Sequence, residues 1–126
     1  MYTIARLAEA IGESLSIGAG DGDRLRLVRQ FLMDAERHGD LETLLFEPPT
    51  STGDIRWDAF LAGLAEYVAQ PAGLKPPGWS LAKEKFLSTW WFVMPFRSLH
   101  GVAMTQTPPA FANRGVFLRR ASLINV

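Results

Sequence analysis

The chain has no cysteine, which excludes disulfides, thiolate metal sites and cysteine nucleophiles. It also lacks a basic segment followed by an apolar one near its start, so no signal peptide is predicted. The longest apolar run, residues 90–96, is far shorter than the ~20 residues that a membrane-spanning helix needs. These absences predict a cytoplasmic protein that does not enter a membrane.

Recognisable catalytic and metal-binding patterns are missing as well. His38 and His100 have no second ligand at the spacing of a metal site, and no serine lies in a Gly-x-Ser-x-Gly turn. The glycine-rich residues 18–23 lack both the Lys-Ser/Thr end of a phosphate-binding loop and the spaced oxygen ligands of a calcium loop. The sequence therefore predicts no catalytic residue, no metal ligand and no cofactor, and favours a protein that is not an enzyme. A small enzyme with an unrecognised site remains the minority alternative.

The most strongly patterned stretch is residues 54–70. Asp54 is a suitable N-terminal cap, and at about 100° per residue the large apolar side chains between Trp57 and Val68 share one face. The opposite face is mostly alanine and glycine, with Asp58 and Glu66 as its only charges. We expect this helix to be central and to pack on more than one side, with the aromatic residues 86–96 against its small face.

Weaker signals surround this helix on both sides. Caps, apolar spacing and helix-stop residues predict further helices over 4–15, 24–38, 41–46, 81–88 and 96–105 and a short one within 107–115, with Thr3, Asp23, Asp40, Ser80 and Thr107 as N-terminal caps and Gly39 as a left-handed stop. Residues 116–118 are predicted to be extended. The predicted fold class is all-α: one bundle of about five to seven helices around 54–70, with irregular Pro- and Trp-rich connections. At 126 residues the chain is expected to form a single domain.

Charge is distributed unevenly although the formal net charge is zero. Residues 1–66 contain 12 acidic and 6 basic side chains, whereas residues 67–126 contain 1 acidic and 7 basic ones. Either the two halves attract each other within the fold, or a basic face is left for an acidic partner or nucleic acid. A neutral total argues against tight nonspecific nucleic-acid binding. The candidate interaction face consists of Arg97, Arg114, Arg119, Arg120, Trp79 and Trp90.

Two further features bear on function. The aromatic residues 86–96 can form part of the core or an interface, because each buried ring removes ~150–250 Å² from water. Residues 7–17 have a passing likeness to the first part of a DNA-binding helix-turn-helix. The chain continues into the glycine-rich residues 18–23 instead of a short turn and a recognition helix, so DNA binding through this segment is not expected.

From about Leu45 to Val126 the sequence resembles a family of short, uncharacterised helical proteins common in actinobacteria. The resemblance is carried by Glu47-Pro48-Pro49, Thr52-Gly53-Asp54 with Arg56-Trp57-Asp58, the central helix, Gly73-Leu74, Pro77 with Trp79, Phe86-Leu87, Trp91-Phe92, Pro109-Ala110-Phe111 and Arg114-Gly115-Val116-Phe117. It divides the chain into N-terminal helices over 1–47 and a family-like region over 54–126. Some relatives look like regulators that follow a helix-turn-helix domain, or like antitoxins that accompany a nucleotidyltransferase-like toxin.

The resemblance and the missing catalytic set together predict a non-enzymatic protein-binding module, antitoxin-like or a regulatory accessory protein. The expected partner is a protein, either the product of a neighbouring gene or a second copy of this chain. The alternative is weak nucleic-acid binding by the basic C-terminal half, which would fall steeply with salt.

Overall fold

The computed structural model describes residues 2–93 and 100–124. Within these residues it contains six α-helices and one two-stranded sheet, which confirms the all-α class. The elements are α1 (Ile4–Ser16), α2 (Asp21–Arg37), α3 (Leu41–Phe46), α4 (Ile55–Ala69), β1 (Trp91–Phe92), α5 (His100–Gln106), α6 (Pro109–Ala112) and β2 (Val116–Phe117). The predicted start of a helix at residue 96 lies outside the described residues. None of the helices in the described ranges combines the length and the hydropathy that crossing a membrane requires.

Helix α4 lies at the centre of the molecule, as predicted. It begins after Asp54, whose carboxylate accepts a hydrogen bond of 2.8 Å from the backbone N–H of Arg56. All seven residues from 59 to 65 are buried, so α4 packs on several sides at once. Its neighbours include α1, α3, α6 and β2, and the apolar core around it runs from Ile4 to Leu123.

Trp57 is the largest fully buried side chain of this core. Its ring lies 4.8 Å from that of Phe60 and 5.2 Å, edge to face, from that of Trp91, measured between ring centroids. The guanidinium of Arg24 lies over the same ring at 5.6 Å. Trp57 therefore joins α2, α4 and β1 in one cluster, in the geometry that aromatic pairs prefer.

At Gly63 the small face of α4 is covered by α6, and not by the described part (86–93) of the residues 86–96 that were expected there. A Cβ built on Gly63 would lie 2.9 Å from Phe111 Cδ1 and 3.2 Å from the Ala110 carbonyl oxygen. The absence of a side chain at Gly63 thus lets α6 approach closely, and the Phe111 ring then reaches Phe60 at 5.2 Å. Within the described part of the aromatic segment, Trp91 contacts α4 at Trp57, on another side of the helix.

Replacing Gly63 with alanine should destabilise the protein, although alanine is the better helix former. The added methyl group cannot fit between α4 and α6 without moving backbone, and such overpacking costs about 1–3 kcal/mol. Gly22 in α2 is the matched control, since a Cβ built there would meet no described atom within 4 Å. Chemical denaturation should show a loss for Gly63→Ala and no loss for Gly22→Ala. Equal stability of the two variants would contradict this packing.

The predicted start of α2 is wrong by three residues, whereas its predicted end differs by one. Gly20 is the N-cap, and both Asp21 and Asp23 lie inside the first turn, where the helix dipole favours negative charge. Asp21 also pairs with Arg24, Nη2 to Oδ1 at 2.7 Å, which extends the helix toward its N-terminus. At the other end the chain leaves α2 through an extended His38, and Gly39 has no positive φ.

Ser80 and Thr107 are not helix caps, contrary to prediction. Ser80 lies inside a 3-10 turn over residues 78–81, where its buried hydroxyl donates to the Pro77 carbonyl. A second 3-10 turn over 83–85 follows, so no α-helix forms over 81–88. The hydroxyl of Thr107 instead accepts a hydrogen bond of 3.0 Å from the Leu118 N–H. Thr107 thereby ties the end of α5 to the chain beyond β2.

The remaining local predictions agree with the structure. Thr3 caps α1 and Asp40 caps α3, each by accepting a hydrogen bond from a backbone N–H three residues later. Residues 116–117 are extended as β2, which pairs in parallel with β1 so that Trp91 lies opposite Val116. Gly115, with φ of 79°, makes the left-handed turn between α6 and β2.

Candidate interaction surface

The prediction that Arg114 belongs to an exposed interaction face is wrong. The residue is only 1% exposed. Its Nη1 donates to Glu66 Oε1 at 2.7 Å and to the Ala110 carbonyl at 2.8 Å, while its Nη2 donates to the Ser80 carbonyl at 2.9 Å. Its guanidinium also lies 4.7 Å from the centre of the Phe86 ring. Arg114 therefore holds α4, α6 and the 3-10 turn at 78–81 together from inside.

Arg24 is a second buried arginine, and the sequence predicts no site for it. Its Nη1 donates to the Ala19 carbonyl at 2.6 Å and to Ser14 Oγ at 3.3 Å, and its Nη2 pairs with Asp21. These bonds connect the end of α1 to the start of α2, above the Trp57 ring. Its role is structural as well.

Ion pairs between the two halves of the chain neutralise only a small part of their opposite charges. In the described ranges, Glu66 with Arg114 is the one ion pair that joins residues 1–66 to residues 67–126. The other three pairs join neighbours within the first half: Arg24 with Asp21, Arg26 with Asp23, and Arg56 with Asp54. Most of the acidic excess of the first half thus remains at the surface.

The other members of the predicted face that the structure describes differ in burial and in surroundings. Trp79 is half-buried, and its indole N–H donates to the Leu45 carbonyl at 2.8 Å, which fixes it to α3. Arg119 is half-buried, whereas Arg120 is exposed and lines a groove with Tyr67. Arg97 lies outside the described residues. Trp90 alone among the six is a largely exposed aromatic side chain, with 61% of its surface accessible.

Trp90 borders a cleft that we call the Trp90 cleft. Its volume is about 400 Å³. The residues that line it are Ile55, Arg56, Leu87, Ser88, Thr89, Trp90 and Trp91. Ile55, in the first turn of α4, is 72% exposed. Two large apolar side chains thus stand at the mouth of one concave site.

The segment that carries Trp90 is held firmly against the chain before β2. The Leu87 N–H donates to the Arg114 carbonyl at 3.0 Å, and the Trp91 N–H donates to the Gly115 carbonyl at 2.8 Å. The Trp90 ring also lies 5.0 Å from the Phe117 ring. Because both backbone and ring are held, Trp90 is positioned before any partner arrives, which lowers the entropic cost of binding.

Arg56, the charged residue in the lining of the cleft, already forms an ion pair within the protein. The Arg56 guanidinium lies over the Trp91 ring at 5.2 Å and pairs with Asp54, Nη2 to Oδ2 at 3.0 Å. Partial burial by itself would raise the pKa of Asp54, but hydrogen bonds from Arg56 and its positive charge hold that pKa below its usual value. Asp54 therefore stays ionised at neutral pH, and Arg56 brings little net charge to the cleft.

The described residues contain no group of three or more histidine, aspartate or glutamate side chains that could hold a metal ion. His100 stacks flat on Phe92, with 4.0 Å between ring centroids and an interplanar angle of 8°, and it is half-buried. His38 is exposed just beyond the end of α2. Neither histidine lines the Trp90 cleft.

Comparison of the chain with protein-family models, curated proteins and solved structures gave no match. The resemblance to actinobacterial helical proteins therefore stays a prediction.

Proposed function

We propose that the protein is a protein-binding module that accepts an uncharged apolar side chain of its partner in the Trp90 cleft. The observation that carries this proposal is the pairing of exposed Trp90 with exposed Ile55 at one cleft. Exposed apolar groups around a concave site are typical of interaction surfaces. Tryptophan is also among the residues that contribute most to binding energy at interfaces.

The chemistry of the cleft favours a protein over a nucleic acid. Among the described residues, Arg56 is the only titratable side chain in its lining, and Asp54 already neutralises it. Nucleic-acid binding depends on several cations that neutralise phosphates, and the burial of Arg114 removes one of the cations offered for that role. Ser88 and Thr89 at the rim supply hydroxyl groups that can pair with the partner's backbone.

The proposal also covers what kind of protein the partner is. The resemblance to regulator- and antitoxin-like proteins supports the product of a neighbouring gene as the partner, with this chain as its accessory or neutralising member. Self-association through the Trp90 cleft is the competing arrangement. It would appear as a concentration-dependent dimer in light scattering, and it would weaken on substitution of Ile55.

Replacing Ile55 with glutamine should weaken the complex about tenfold, equivalent to about 1.4 kcal/mol, because it removes an apolar contact at the rim of the cleft. Ile17→Gln is the matched control, since Ile17 is 74% exposed and does not line the cleft. Isothermal titration calorimetry against the co-expressed neighbouring-gene product measures both affinities. The affinity should also change little between low and high salt, because Arg56 in the cleft is already paired with Asp54.

Three outcomes would contradict the proposed function. The first is equal affinity of the Ile55→Gln variant and the unmodified protein. The second is equal weakening by Ile55→Gln and Ile17→Gln. The third is an affinity that falls steeply with salt, which would indicate a charged surface elsewhere.

A further inference from the structure

We propose a second, small-molecule site: the groove beside Tyr67 binds a carboxylate that carries an unbranched hydrocarbon chain. The groove, which we call the Tyr67 groove, consists of two adjoining cavities of about 350 Å³ and 470 Å³. Tyr67, Leu123 and Ile124 line both cavities, so the two lie side by side and meet at these three residues. Each volume lies within the range of about 300–1,000 Å³ that is usual for small-molecule pockets.

One end of the Tyr67 groove is apolar. It lies between α2, α3, α4 and a 3-10 turn over residues 70–72 that follows α4. Beyond the shared residues, its apolar lining consists of Leu32, Ala35, Leu41, Val68 and Pro71. Of the described residues at this end, Glu36 is the only charged one, and it is exposed. A hydrocarbon chain suits this end, since each CH₂ group that it removes from water favours binding. A second carboxylate would be repelled there by Glu36.

The other end is polar and positively charged. Beyond the shared residues it is lined by Thr105, Gln106, Pro108 and Arg120. Gln106 Oε1 accepts a hydrogen bond of 3.0 Å from the Arg120 backbone N–H, which fixes the turn that carries the guanidinium. Arginine binds carboxylates through two parallel N–H groups. The lining therefore complements a molecule with an anionic head and an apolar tail.

The walls of the groove are formed by parts of the fold that are already ordered. Leu123 is 5% exposed and belongs to the main core, and the Tyr67 ring packs on Phe111 with 5.6 Å between centroids. Thr107 holds the end of α5 against Leu118. A groove with fixed walls loses little entropy when it binds a ligand.

Titration of the full chain with decanoate, followed by ¹H–¹⁵N NMR, tests this site directly. We expect saturable shifts at the amides of Tyr67, Thr105 and Leu123. Arg120→Gln should weaken decanoate binding about tenfold, equivalent to about 1.4 kcal/mol, because it removes the charge-assisted contact. Arg6→Gln, at an exposed arginine of α1 outside the groove, is the matched control and should bind as the unmodified protein does.

Two further probes separate the contributions of head and tail. Acetate, which has the head without the tail, should not saturate at the concentrations that saturate decanoate. Decylammonium, which has the same tail and the opposite charge, should bind more weakly than decanoate. Shifts outside the groove, equal affinity of Arg120→Gln, or tighter binding of an acetylated peptide ending in leucine would overturn the proposal. None of these results depends on the Trp90 cleft.

Discussion

Replacing Trp57 with alanine is expected to lower the free energy of unfolding by about 3–5 kcal/mol, as is usual for a buried aromatic residue. The side chain is fully buried and packs against Phe60 and Trp91. Its removal leaves a cavity where α2, α4 and β1 meet, and Arg24 also loses the ring beneath its guanidinium. Urea denaturation monitored by circular dichroism measures the loss.

Trp57→Phe and Ile17→Gln serve as controls for this experiment. Phenylalanine keeps part of the aromatic contact, so its cost should be smaller than that of alanine. Ile17 is 74% exposed, and its substitution should stay within about 0.5 kcal/mol, as for most surface changes. A loss below about 1 kcal/mol for Trp57→Ala would show that α4 is not packed as described.

Replacing Arg114 with methionine should cost about 3 kcal/mol, near the lower end of the range for breaking a buried ion pair. Methionine fills much of the volume, but the buried carbonyls of Ser80 and Ala110 lose a donor. Glu66 loses its partner too, although its side chain keeps 22% exposure and so regains some hydration. Denaturant midpoints of the variants measure the effect.

Substitutions of Glu66 separate charge from hydrogen bonding. Glu66→Gln keeps an acceptor for Arg114 and should cost less than Glu66→Leu, which leaves the buried guanidinium without its counter-charge. The double variant Arg114→Met with Glu66→Leu should be more stable than the sum of the single losses predicts, because the two residues are in contact. Additive losses, or a loss below about 1 kcal/mol for Arg114→Met, would contradict a structural role for Arg114.

The features predicted correctly from the sequence are mostly local ones. Thr3, Asp40 and Asp54 cap their helices through bonds to residues two or three positions away, so the information lies within one turn. The burial of α4 on several sides follows from its own composition, since a helix with few polar residues has little to present to water. Predicting these features required no information about contacts between residues far apart in the sequence.

The predictions that are wrong concern features that depend on contacts between residues far apart in the sequence. Arg114 and Glu66 are 48 positions apart, and only the folded chain shows that the carboxylate and two carbonyls together make burial of that cation favourable. Glu66, one of two acids on the largely apolar α4, is the sequence signal that points to a buried cation. The approach of α6 to Gly63 likewise depends on the path of the chain after β1.

The aromatic segment shows an intermediate case. The sequence does not decide between core and interface, and within the described residues 86–93 the structure assigns different residues to different surroundings. Trp91 packs on Trp57, whereas Trp90 and Phe92 both contact Phe117. This alternation is expected of an extended chain, in which successive side chains point to opposite faces. The pairing of β1 with β2 decides which of these side chains face Trp57 and which face Phe117.

The central functional claim is that a partner covers Trp90, and the four tryptophan indoles allow a direct measurement within one protein. In ¹H–¹⁵N NMR during titration with the neighbouring-gene product, the Trp90 indole signal should shift and its solvent exchange should slow. The Trp79 indole, bonded to the Leu45 carbonyl, should stay unchanged. An unchanged Trp90 signal in a saturated complex would contradict the assignment of the Trp90 cleft as the binding surface.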